Sequence, residues 1–545
     1  MKLRLDGREI TFTEEICYLD LLPTAKQDGL VAINIGGEYM RLNALVTQDA
    51  DAHSVKIDNP EGKRVYERSL IFVMLMATRR VMPKSQVVIE HAIGSGIYVR
   101  LKDSSPIDIL GVKQEMQSII AQDLPFKKTT VDTKAAIDYY EKMGESDKVR
   151  LLNYRPFDWF DLYECGEGKG YFYGDMLPST GFISAYDLIE VEQGAILILP
   201  DSSDIAKVSP FVHMPKLSKA HIAAEQWGDM MHCASAADLN DIIASGRIKE
   251  MIWICEARHE RELVGIANEI NHRAHASEHH AVLISGPSSS GKTTFTNRLA
   301  LQLKSMGIRP MLLSIDDYYR DVGDPLTPVD ENGESDLEHI QALDIDRFNQ
   351  DIHDLMHGHE VLLPRYNFNT GKREDGQRVR LQAQQPLLIE GIHALNPLLT
   401  QSIDASDLYK AYVTALTQLN LDDHNRIASH SVRLMRRLVR DHYTRNTPLN
   451  ETFARWSSVR RGEERWIFPY QEEADVIFNS SLSYEIAVLR KYLNPLLFTI
   501  TRQMDCYSQA RTLLKFLNYF LACEEDDIPR LSILREFVGG CGFYQ

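Results

Sequence analysis

The chain has 545 residues, too many for one hydrophobic core, and this length indicates three or four domains. Its hydrophobic share of 44% and charged share of 25% are ordinary for a soluble globular protein. The formal net charge of −17 argues against a general affinity for nucleic acid or anionic membranes, although a local basic patch stays open.

Cysteine usage and apolar run lengths bear on the cellular compartment. The seven cysteines are scattered and form no CxxC pair, which predicts reduced thiols rather than a disulfide framework or a zinc ribbon. The first residues, MKLRLDGREI, carry charges where a signal peptide needs an apolar stretch. No uncharged apolar run approaches the about 18–20 residues that span a bilayer. We therefore expect a soluble, cytoplasmic protein without a membrane partner.

Short strands and tight turns are predicted at the start of the chain. Alternating apolar residues flank an Asp6-Gly7 turn, and the apolar run 29–35 precedes the pair Gly36-Gly37. This pattern predicts a small strand-rich domain. Mixed helices and strands follow, and a polar helical linker precedes the second half.

From residue 281 onward, predicted strands and helices alternate. The strands are predicted at 281–285, 310–315, 386–390 and 475–478, and the helices at 292–306, 345–357 and 425–445. This alternation predicts an α/β fold, a parallel sheet of the P-loop NTPase type with helices on both faces. The predicted boundaries are 1–62, 63–248, 249–280 (the linker), 281–480 and 481–545, the last being helical.

A glycine-rich loop lies between the first predicted strand and helix of this α/β region. Residues 286–294 read GPSSSGKTT and fit the pattern GxxxxGK[ST] in its required strand-to-helix context. Its backbone N–H groups can surround phosphate oxygens at the positive end of the helix dipole. Lys292 would reach the β- and γ-phosphates of ATP, and the Thr293 hydroxyl would ligate Mg²⁺.

Two carboxylates follow buried strands of the same region. Asp316 comes directly after strand 311–315, at the sheet edge where open α/β folds bind ligands. It can accept a proton from an acceptor hydroxyl or hold Mg²⁺, and the alternative is that Asp316-Asp317 merely begins a loop. Glu390 ends strand 386–390, and its simplest role is to support Mg²⁺ through water.

A basic helix supplies the remaining charge. Arg433, Arg437 and Arg440 share one helical face, and Arg445 follows them. Beside a phosphate loop this face is interpreted as a lid that neutralises the transferred phosphoryl group. A solvated surface or an RNA contact is the alternative.

Together these motifs resemble the uridine kinase family of P-loop nucleoside kinases. The resemblance covers about residues 281–480 and runs in order through GPSSSGKTT, LLSIDDYYR, DLEHIQALD, LLPRYNFNTGKR, LLIEGIHAL, RLMRRLVRDHYTR and FPYQEEADVIF. It implies ATP and Mg²⁺ as cofactors and a nucleoside, uridine or a relative of it, as the acceptor. The phosphate-binding residues it implies are Gly286, Ser288, Ser289, Ser290, Gly291, Lys292, Thr293 and Thr294.

The resemblance also assigns roles to individual residues. Asp316 would be the catalytic base, and Glu390 would join Thr293 at Mg²⁺, with Asp316 as a further metal candidate. The remaining implied roles are ribose binding by Asp344, packing against the nucleoside by Tyr319 and Tyr366, contact with nucleoside and phosphates by Arg437, and lid contacts by Arg440 and Arg445.

Two positions depart from the family pattern. Gly371 lies where pyrimidine-specific members carry a base-reading histidine, and Thr447 replaces the second lid arginine. Because a base-edge hydrogen bond discriminates more strongly than apolar fit, Gly371 leaves the base specificity open.

The front half resembles a different class of protein. Residues 1–62 are similar to the β-grasp TGS domain, and 63–248 to the α+β second additional domain of threonyl-tRNA synthetases, through YERS at 66–69, AIGSGIY at 92–98 and GESDK at 144–148. The HxxxH pair of that domain falls on Arg68 and Phe72, and the later Cys/His segment reads GDMLPS. We therefore expect a scaffold that binds RNA, a nucleotide or an effector, without hydrolytic or metal chemistry.

The sequence thus predicts a nucleoside kinase and leaves two alternatives. One is a small-metabolite kinase of the phosphoribulokinase type, and the other is an RNA- or nucleotide-responsive binding protein with a P-loop switch. A homo-oligomer is also open. Four linker histidines, His272, His275, His279 and His280, lack an accompanying set of cysteines or carboxylates and are interpreted as a polar connector.

Overall fold

The computed structural model describes residues 2–543 apart from 13–14, 275–279, 331–332, 334 and 369. These residues form a mixed α/β fold. The first five strands form one sheet: β1 (Lys2–Leu5), β2 (Arg8–Thr11), β3 (Leu30–Ile35), β4 (Glu38–Arg41) and β5 (Ala50–Lys56). Their order is β2-β1-β5-β3-β4, with β1 and β5 parallel and the other neighbours antiparallel. The predicted strand-rich unit with its two tight turns is confirmed.

Helices and antiparallel strands alternate in the next region. The helices are α1 (Pro60–Val81), α2 (Ile109–Ala121), α3 (Thr133–Met143), α4 (Ser146–Asn153), α5 (Pro215–Met230) and α6 (Ala236–Ala244). The strands are β6 (Val87–Ile93), β7 (Gly96–Leu101), β8 (Lys127–Asp132), β9 (Trp159–Cys165), β10 (Gly168–Gly170), β11 (Asp187–Val191) and β12 (Gly194–Ile198). They pair as two sheets, β11-β12-β7-β6 and β10-β9-β8.

A long helix, α7 (Ile248–Ala274), leads to the second half of the chain. There, five strands form one sheet: β13 (Ala281–Ser285), β14 (Met311–Ser314), β17 (Leu387–Glu390), β18 (Leu408–Thr414) and β21 (Val476–Asn479). Every neighbouring pair in this sheet is parallel, and the strand order is β14-β17-β13-β18-β21. The predicted parallel α/β sheet is confirmed.

Four helices and two hairpins accompany this sheet. The helices are α8 (Lys292–Ser305), α9 (Ile345–Met356), α10 (Ser429–Arg445) and α11 (Leu449–Trp466). One hairpin consists of β15 (Glu360–Asn367) and β16 (Lys372–Arg380), and the other of β19 (Asn420–Asp422) and β20 (Asn425–Arg426). The C-terminal helices are α12 (Glu485–Phe498), α13 (Tyr507–Leu517) and α14 (Arg535–Val538).

The prediction of a helix over 425–445 was wrong at its start. Residues 420–426 form the β19–β20 hairpin instead, because Asp422 accepts the backbone N–H groups of His424 at 2.9 Å and Asn425 at 3.0 Å. The helix begins at Ser429.

The β19–β20 hairpin extends from the parallel-sheet region into the front half. Asn420 donates its side-chain amide to the carbonyl of Ile89 at 3.0 Å, and the carbonyl of Asp423 accepts the N–H of Ile89 at 2.8 Å. Asp422 lies 3.6 Å from the buried ammonium of Lys148. The front half is therefore attached directly to the chain that enters α10.

The described helices and cysteines bear on two further expectations. Across the described part of the chain, every helix is too short or too polar to cross a lipid bilayer. Cys17 is partly exposed, and the other six cysteines are buried.

Two buried carboxyl groups between β6 and α5 make the stability of the front half depend on pH. Burial raises the pKa of Glu90 and of Glu225 to about 8, from an ordinary value of 4.5. Between these values the folded chain keeps protons that the unfolded chain has released. We therefore expect the free energy of unfolding to fall by several kcal/mol as the pH rises from about 4.5 to about 8.

Urea unfolding of the wild type and of Glu225→Gln across this pH range measures the effect. The glutamine variant should show a flatter dependence, because one of the two titrating groups is removed. An equally steep dependence in both proteins would contradict the assignment.

Candidate functional site

The glycine-rich loop connects the end of β13 to the start of α8. A side chain at Gly286 would lie 1.9 Å from the carbonyl oxygen of Val413, so glycine is required there. Gly291 has φ +89° and Ser289 has φ +59°, both in the left-handed region. These conformations turn the loop tightly into the first turn of α8, so that its N–H groups converge at the helix N-terminus.

Four of the predicted residues meet beside this loop. Thr293 donates its hydroxyl to Glu390 at 3.4 Å, and Lys292 donates to the carbonyl of Pro287 at 3.1 Å. Burial lowers the pKa of Lys292, and the neighbouring Glu390 and Asp316 oppose that shift. The residues converge because β14, β17 and β13 are adjacent parallel strands whose carboxyl ends lie at one sheet edge.

The two carboxyl groups in this cluster have raised affinities for protons. Burial raises the pKa of Asp316, although the nearby Lys292 opposes the shift. Burial also raises the pKa of Glu390 to about 7, again opposed by Lys292. A buried carboxyl group whose pKa lies near neutrality is able to exchange a proton under physiological conditions.

Three of the predicted arginines surround one acidic residue of α10. Asp441 lies 3.2 Å from Nε of Arg437, 3.0 Å from Nη2 of Arg440 and 3.7 Å from Nη1 of Arg445. Arg437 also donates to the Ser288 hydroxyl at 2.9 Å, which places it on the glycine-rich loop. Burial and the neighbouring Arg440 lower the pKa of Arg445 to about 10. These three guanidinium groups are therefore concentrated around Asp441, and Arg437 connects them to the glycine-rich loop.

Two further arginines of α10, Arg433 and Arg436, pair with buried carboxylates beside the loop. Arg433 is buried and paired with Glu463, and it donates to the carbonyl of Ser288 at 2.9 Å. Arg436 is fully buried and donates to Glu485 at 2.6 Å and to the carbonyl of Ser480 at 2.8 Å. The lid role of the face that Arg433 shares with Arg437 and Arg440 stays a prediction, and the charge of Arg433 is already paired with Glu463 inside the fold.

The predicted acceptor residues fall into two groups. Tyr319 and Tyr366 are buried and pack edge to face, with ring centroids 5.7 Å apart. Asp344 caps α9 by accepting the N–H of Arg347 at 3.3 Å, and it pairs with Arg373 at 2.8 Å. The carboxylate of Asp344 is thus already engaged by the backbone of Arg347 and the side chain of Arg373.

Three carboxylates near the loop were missed by the sequence interpretation. Glu338 is partly buried, has its pKa raised to about 7 by burial, and interacts electrostatically with Arg437 and Lys292. Glu463 accepts the N–H of Ser288 at 3.1 Å, and Glu536 accepts the N–H of Thr294 at 3.2 Å. Glu338 lies inside the motif DLEHIQALD, so the sequence carried a signal for it; Glu463 and Glu536 come from distant helices without a motif.

Gly371 has a structural reason to be glycine. Its φ is +65°, and a side chain there would lie 2.6 Å from the Val322 side chain. A larger residue at this position would require both a strained backbone and a displacement of Val322. The local backbone conformation and the contact with Val322 therefore favour glycine at this position.

Among the described residues, His91, His221 and Glu225 are close enough to be considered as metal ligands. The two imidazole rings are stacked, with centroids 4.0 Å apart and planes inclined by 4°. Because the lone pairs lie in the ring planes, they cannot converge on one ion in this arrangement. His91 instead hydrogen-bonds to Glu225 at 2.5 Å. Of the linker histidines, His275 and His279 lie outside the described residues.

Comparison with known proteins divides the chain into two parts. Residues 282–487 match the model of the phosphoribulokinase / uridine kinase family. This match lies in the C-terminal half of the chain. The matched region contains the glycine-rich loop, Asp316, Glu390 and the basic helix α10. The predicted resemblance of this region is therefore confirmed at the level of the family.

The N-terminal part of the chain is similar to threonine–tRNA ligases. It is 28% identical over 200 residues to the enzyme of Carboxydothermus hydrogenoformans and 29% identical over 199 residues to that of Nitratidesulfovibrio vulgaris. Each match covers 35% of this chain and 31% of the ligase, so the chain spans about a third of the length of these relatives.

Solved structures similar to the chain include two kinases. One is described as a possible uridine kinase from Bacillus stearothermophilus, with 18% identity, a TM-score of 0.27, and coverage of 39% of this chain and 100% of that one. The other is a D-glycerate 3-kinase from Cryptococcus neoformans var. grubii, with 13% identity, a TM-score of 0.22, and coverage of 49% and 89%.

Proposed function

We propose that the protein is an ATP- and Mg²⁺-dependent kinase that phosphorylates the 5′-hydroxyl of uridine or a related nucleoside. The observation that carries the proposal is the partly buried carboxyl group of Asp316, which lies beside Lys292 at the edge of a parallel sheet that also ends in the glycine-rich loop. A phosphoryl transferase needs this combination of a proton acceptor and phosphate-binding groups.

The donor groups present fit both cofactors. The Thr293 hydroxyl and the Glu390 carboxylate offer the hard oxygen ligands that Mg²⁺ prefers. The N–H of Thr294 already holds an anionic carboxylate, so the start of α8 is able to bind an anion. When bound, Mg²⁺·ATP would supply the phosphoryl group and the charge that activates it.

In this proposal each side chain has one task. Asp316 accepts the proton of the acceptor hydroxyl, and Lys292 balances the charge of the phosphates. Arg437, Arg440 and Arg445 donate hydrogen bonds to the phosphates from α10. Tyr319 and Tyr366 pack against the nucleoside, and Asp344 holds the ribose, a task for which Glu338 is a second candidate because it faces Arg437.

A panel of acceptors tests the proposal. ATP consumption is measured with purine and pyrimidine nucleosides, and in parallel with ribulose 5-phosphate, glycerate and fructose. We expect turnover with at least one nucleoside. Turnover only with a sugar phosphate or another hydroxyl metabolite would instead identify a kinase of the phosphoribulokinase type.

Replacing Glu390 by Gln is expected to raise the Mg²⁺ concentration for half-maximal rate about tenfold, since losing a carboxylate that orients a metal site costs this much affinity. Titration of initial rates with MgCl₂ measures it. Glu473→Gln is the matched control, because Glu473 pairs with Lys410 on the surface. An unchanged Mg²⁺ requirement in Glu390→Gln would remove this residue from the metal site.

For the front half we propose binding of RNA or an effector by a TGS-like and synthetase-like scaffold. The similarity to threonine–tRNA ligases supports this. Arg68 pairs with Glu61 at 2.9 Å, and Phe72 packs on Phe126 with centroids 5.7 Å apart. Both residues are thus used structurally at the positions of the HxxxH pair. Binding of tRNA that persists at raised salt would support the proposal, since purely electrostatic binding weakens steeply.

A further inference from the structure

The C-terminal segment, residues 528–538, packs directly on the glycine-rich loop. A side chain at Gly291 would lie 2.5 Å from Cγ2 of Ile533, so this isoleucine touches the loop backbone. Glu536 accepts two hydrogen bonds from Thr294, one from the backbone N–H at 3.2 Å and one from the hydroxyl at 2.6 Å. A carboxylate from the end of the chain therefore occupies an N–H group in the first turn of α8.

This position of Glu536 is fixed by its neighbours. Leu534 and Phe537 are fully buried, and the Phe537 ring lies 5.0 Å from the guanidinium of Arg436. Arg535 donates to the carbonyl of Glu525 at 2.7 Å and to that of Ile528 at 3.0 Å. The segment is consequently anchored on both sides of Glu536, and the carboxylate is aimed at the loop by packing.

The N–H groups at the start of a helix that follows a glycine-rich loop are those that bind phosphate oxygens. An N–H group that donates to a carboxylate is not available to a phosphate. Glu536 also adds negative charge to the cluster of Lys292, Asp316 and Glu390, where it opposes the lowering of the Lys292 pKa. A polyphosphate that binds beside the carboxylates of Glu536, Asp316 and Glu390 is repelled by their negative charge. This repulsion decreases when Glu536 moves away.

We propose that Glu536 is an intramolecular competitor of the nucleotide. Its carboxylate holds the N–H of Thr294 in place of a phosphate oxygen, so that the C-terminal segment keeps the loop in a low-affinity state. Binding of a nucleoside triphosphate then requires this segment to withdraw from the loop. The inference rests on the proposed function, because it concerns the same nucleotide site.

Affinity for a fluorescent ATP analogue in the presence of Mg²⁺ tests the inference on the full chain. We expect Glu536→Ala to bind the analogue about tenfold more tightly than the wild type, and Glu536→Gln to be intermediate, since the amide keeps the shape but loses the charge. Glu524→Ala is the control, because Glu524 belongs to the same end of the chain but pairs with Lys491. It should bind like the wild type.

Hydrogen exchange gives a second measurement that needs no substitution. Saturation of the wild type with Mg²⁺ and the ATP analogue should increase amide exchange in residues 528–538. Equal or weaker binding by Glu536→Ala, or unchanged or slower exchange in this segment, would overturn the inference. If Glu536→Ala does not fold, the glutamine variant and the exchange measurement decide.

Lys292→Ala separates this inference from the proposed function. If the wild type binds the analogue and Lys292→Ala does not, nucleotide binding at the loop stands, whatever the Glu536 variants show. If neither the wild type nor Glu536→Ala binds the analogue, the proposed function fails and the inference fails with it.

Discussion

Replacing Asp316 by Asn is expected to lower turnover by about 10²- to 10⁴-fold while changing the affinity for ATP by less than about threefold. The amide keeps the size of the side chain but cannot accept the proton of the acceptor hydroxyl. Asp316 lies partly buried next to Lys292, and burial raises the pKa of its carboxyl group, which strengthens it as a base. A base that acts only during transfer should alter the rate and leave nucleotide binding nearly intact.

The neighbouring Asp317 provides the control for this experiment. Its carboxylate accepts the N–H of Tyr366 at 3.1 Å, so it supports the β15 strand rather than the reaction. Asp317→Asn should keep most of the turnover, since an amide oxygen still accepts that hydrogen bond. Single-turnover rates and equilibrium binding of ATP are measured for both variants. Comparable losses in the two variants would mean that Asp316 has a structural role, and an indifferent Asp316→Asn would favour a binding switch over a kinase.

The parts of the fold that local patterns specify were predictable. Alternating apolar residues and an Asp-Gly turn placed the first hairpin, and four apolar positions before Glu390 placed a buried strand. The β15–β16 hairpin was not predicted, because strand β16 reads KREDGQRVR and is largely exposed. The strand forms because its backbone pairs with β15, whereas its side chains give no strand pattern in the sequence.

The candidate site, too, was predictable only where local sequence patterns specify it. The loop, Asp316 and Glu390 follow from strand order, because parallel strands bring their carboxyl ends to one edge. The partners of α10 do not follow, since Glu463 and Glu485 lie 30 and 49 residues from the arginines they pair with, on other helices. A run of arginines predicts positive charge, but only the tertiary packing decides which guanidinium groups are neutralised by buried carboxylates.

Arg436 is the clearest example, and its replacement is expected to cost about 3–5 kcal/mol of stability in the parallel-sheet region. The guanidinium is fully buried and pairs with Glu485 at 2.6 Å, which is itself buried. Arg436→Met keeps much of the side-chain volume but leaves the Glu485 carboxylate without its counter-ion. At about 2–4 °C per kcal/mol for a domain of this size, the thermal midpoint should fall by about 10 °C.

A second substitution separates the charge effect from a packing effect. In Arg436→Met combined with Glu485→Gln, no uncompensated charge remains, and the glutamine can still accept the N–H of Leu482 and the hydroxyl of Ser481. We expect the double variant to recover at least half of the lost thermal midpoint. Arg455→Met serves as the control, because Arg455 pairs with Glu451 at the surface and should cost less than about 1 kcal/mol. If the double variant is as unstable as Arg436→Met alone, the contribution of Arg436 lies in its hydrogen bonds to the carbonyls of Ser289, Ser290 and Ser480, which hold the glycine-rich loop against β21.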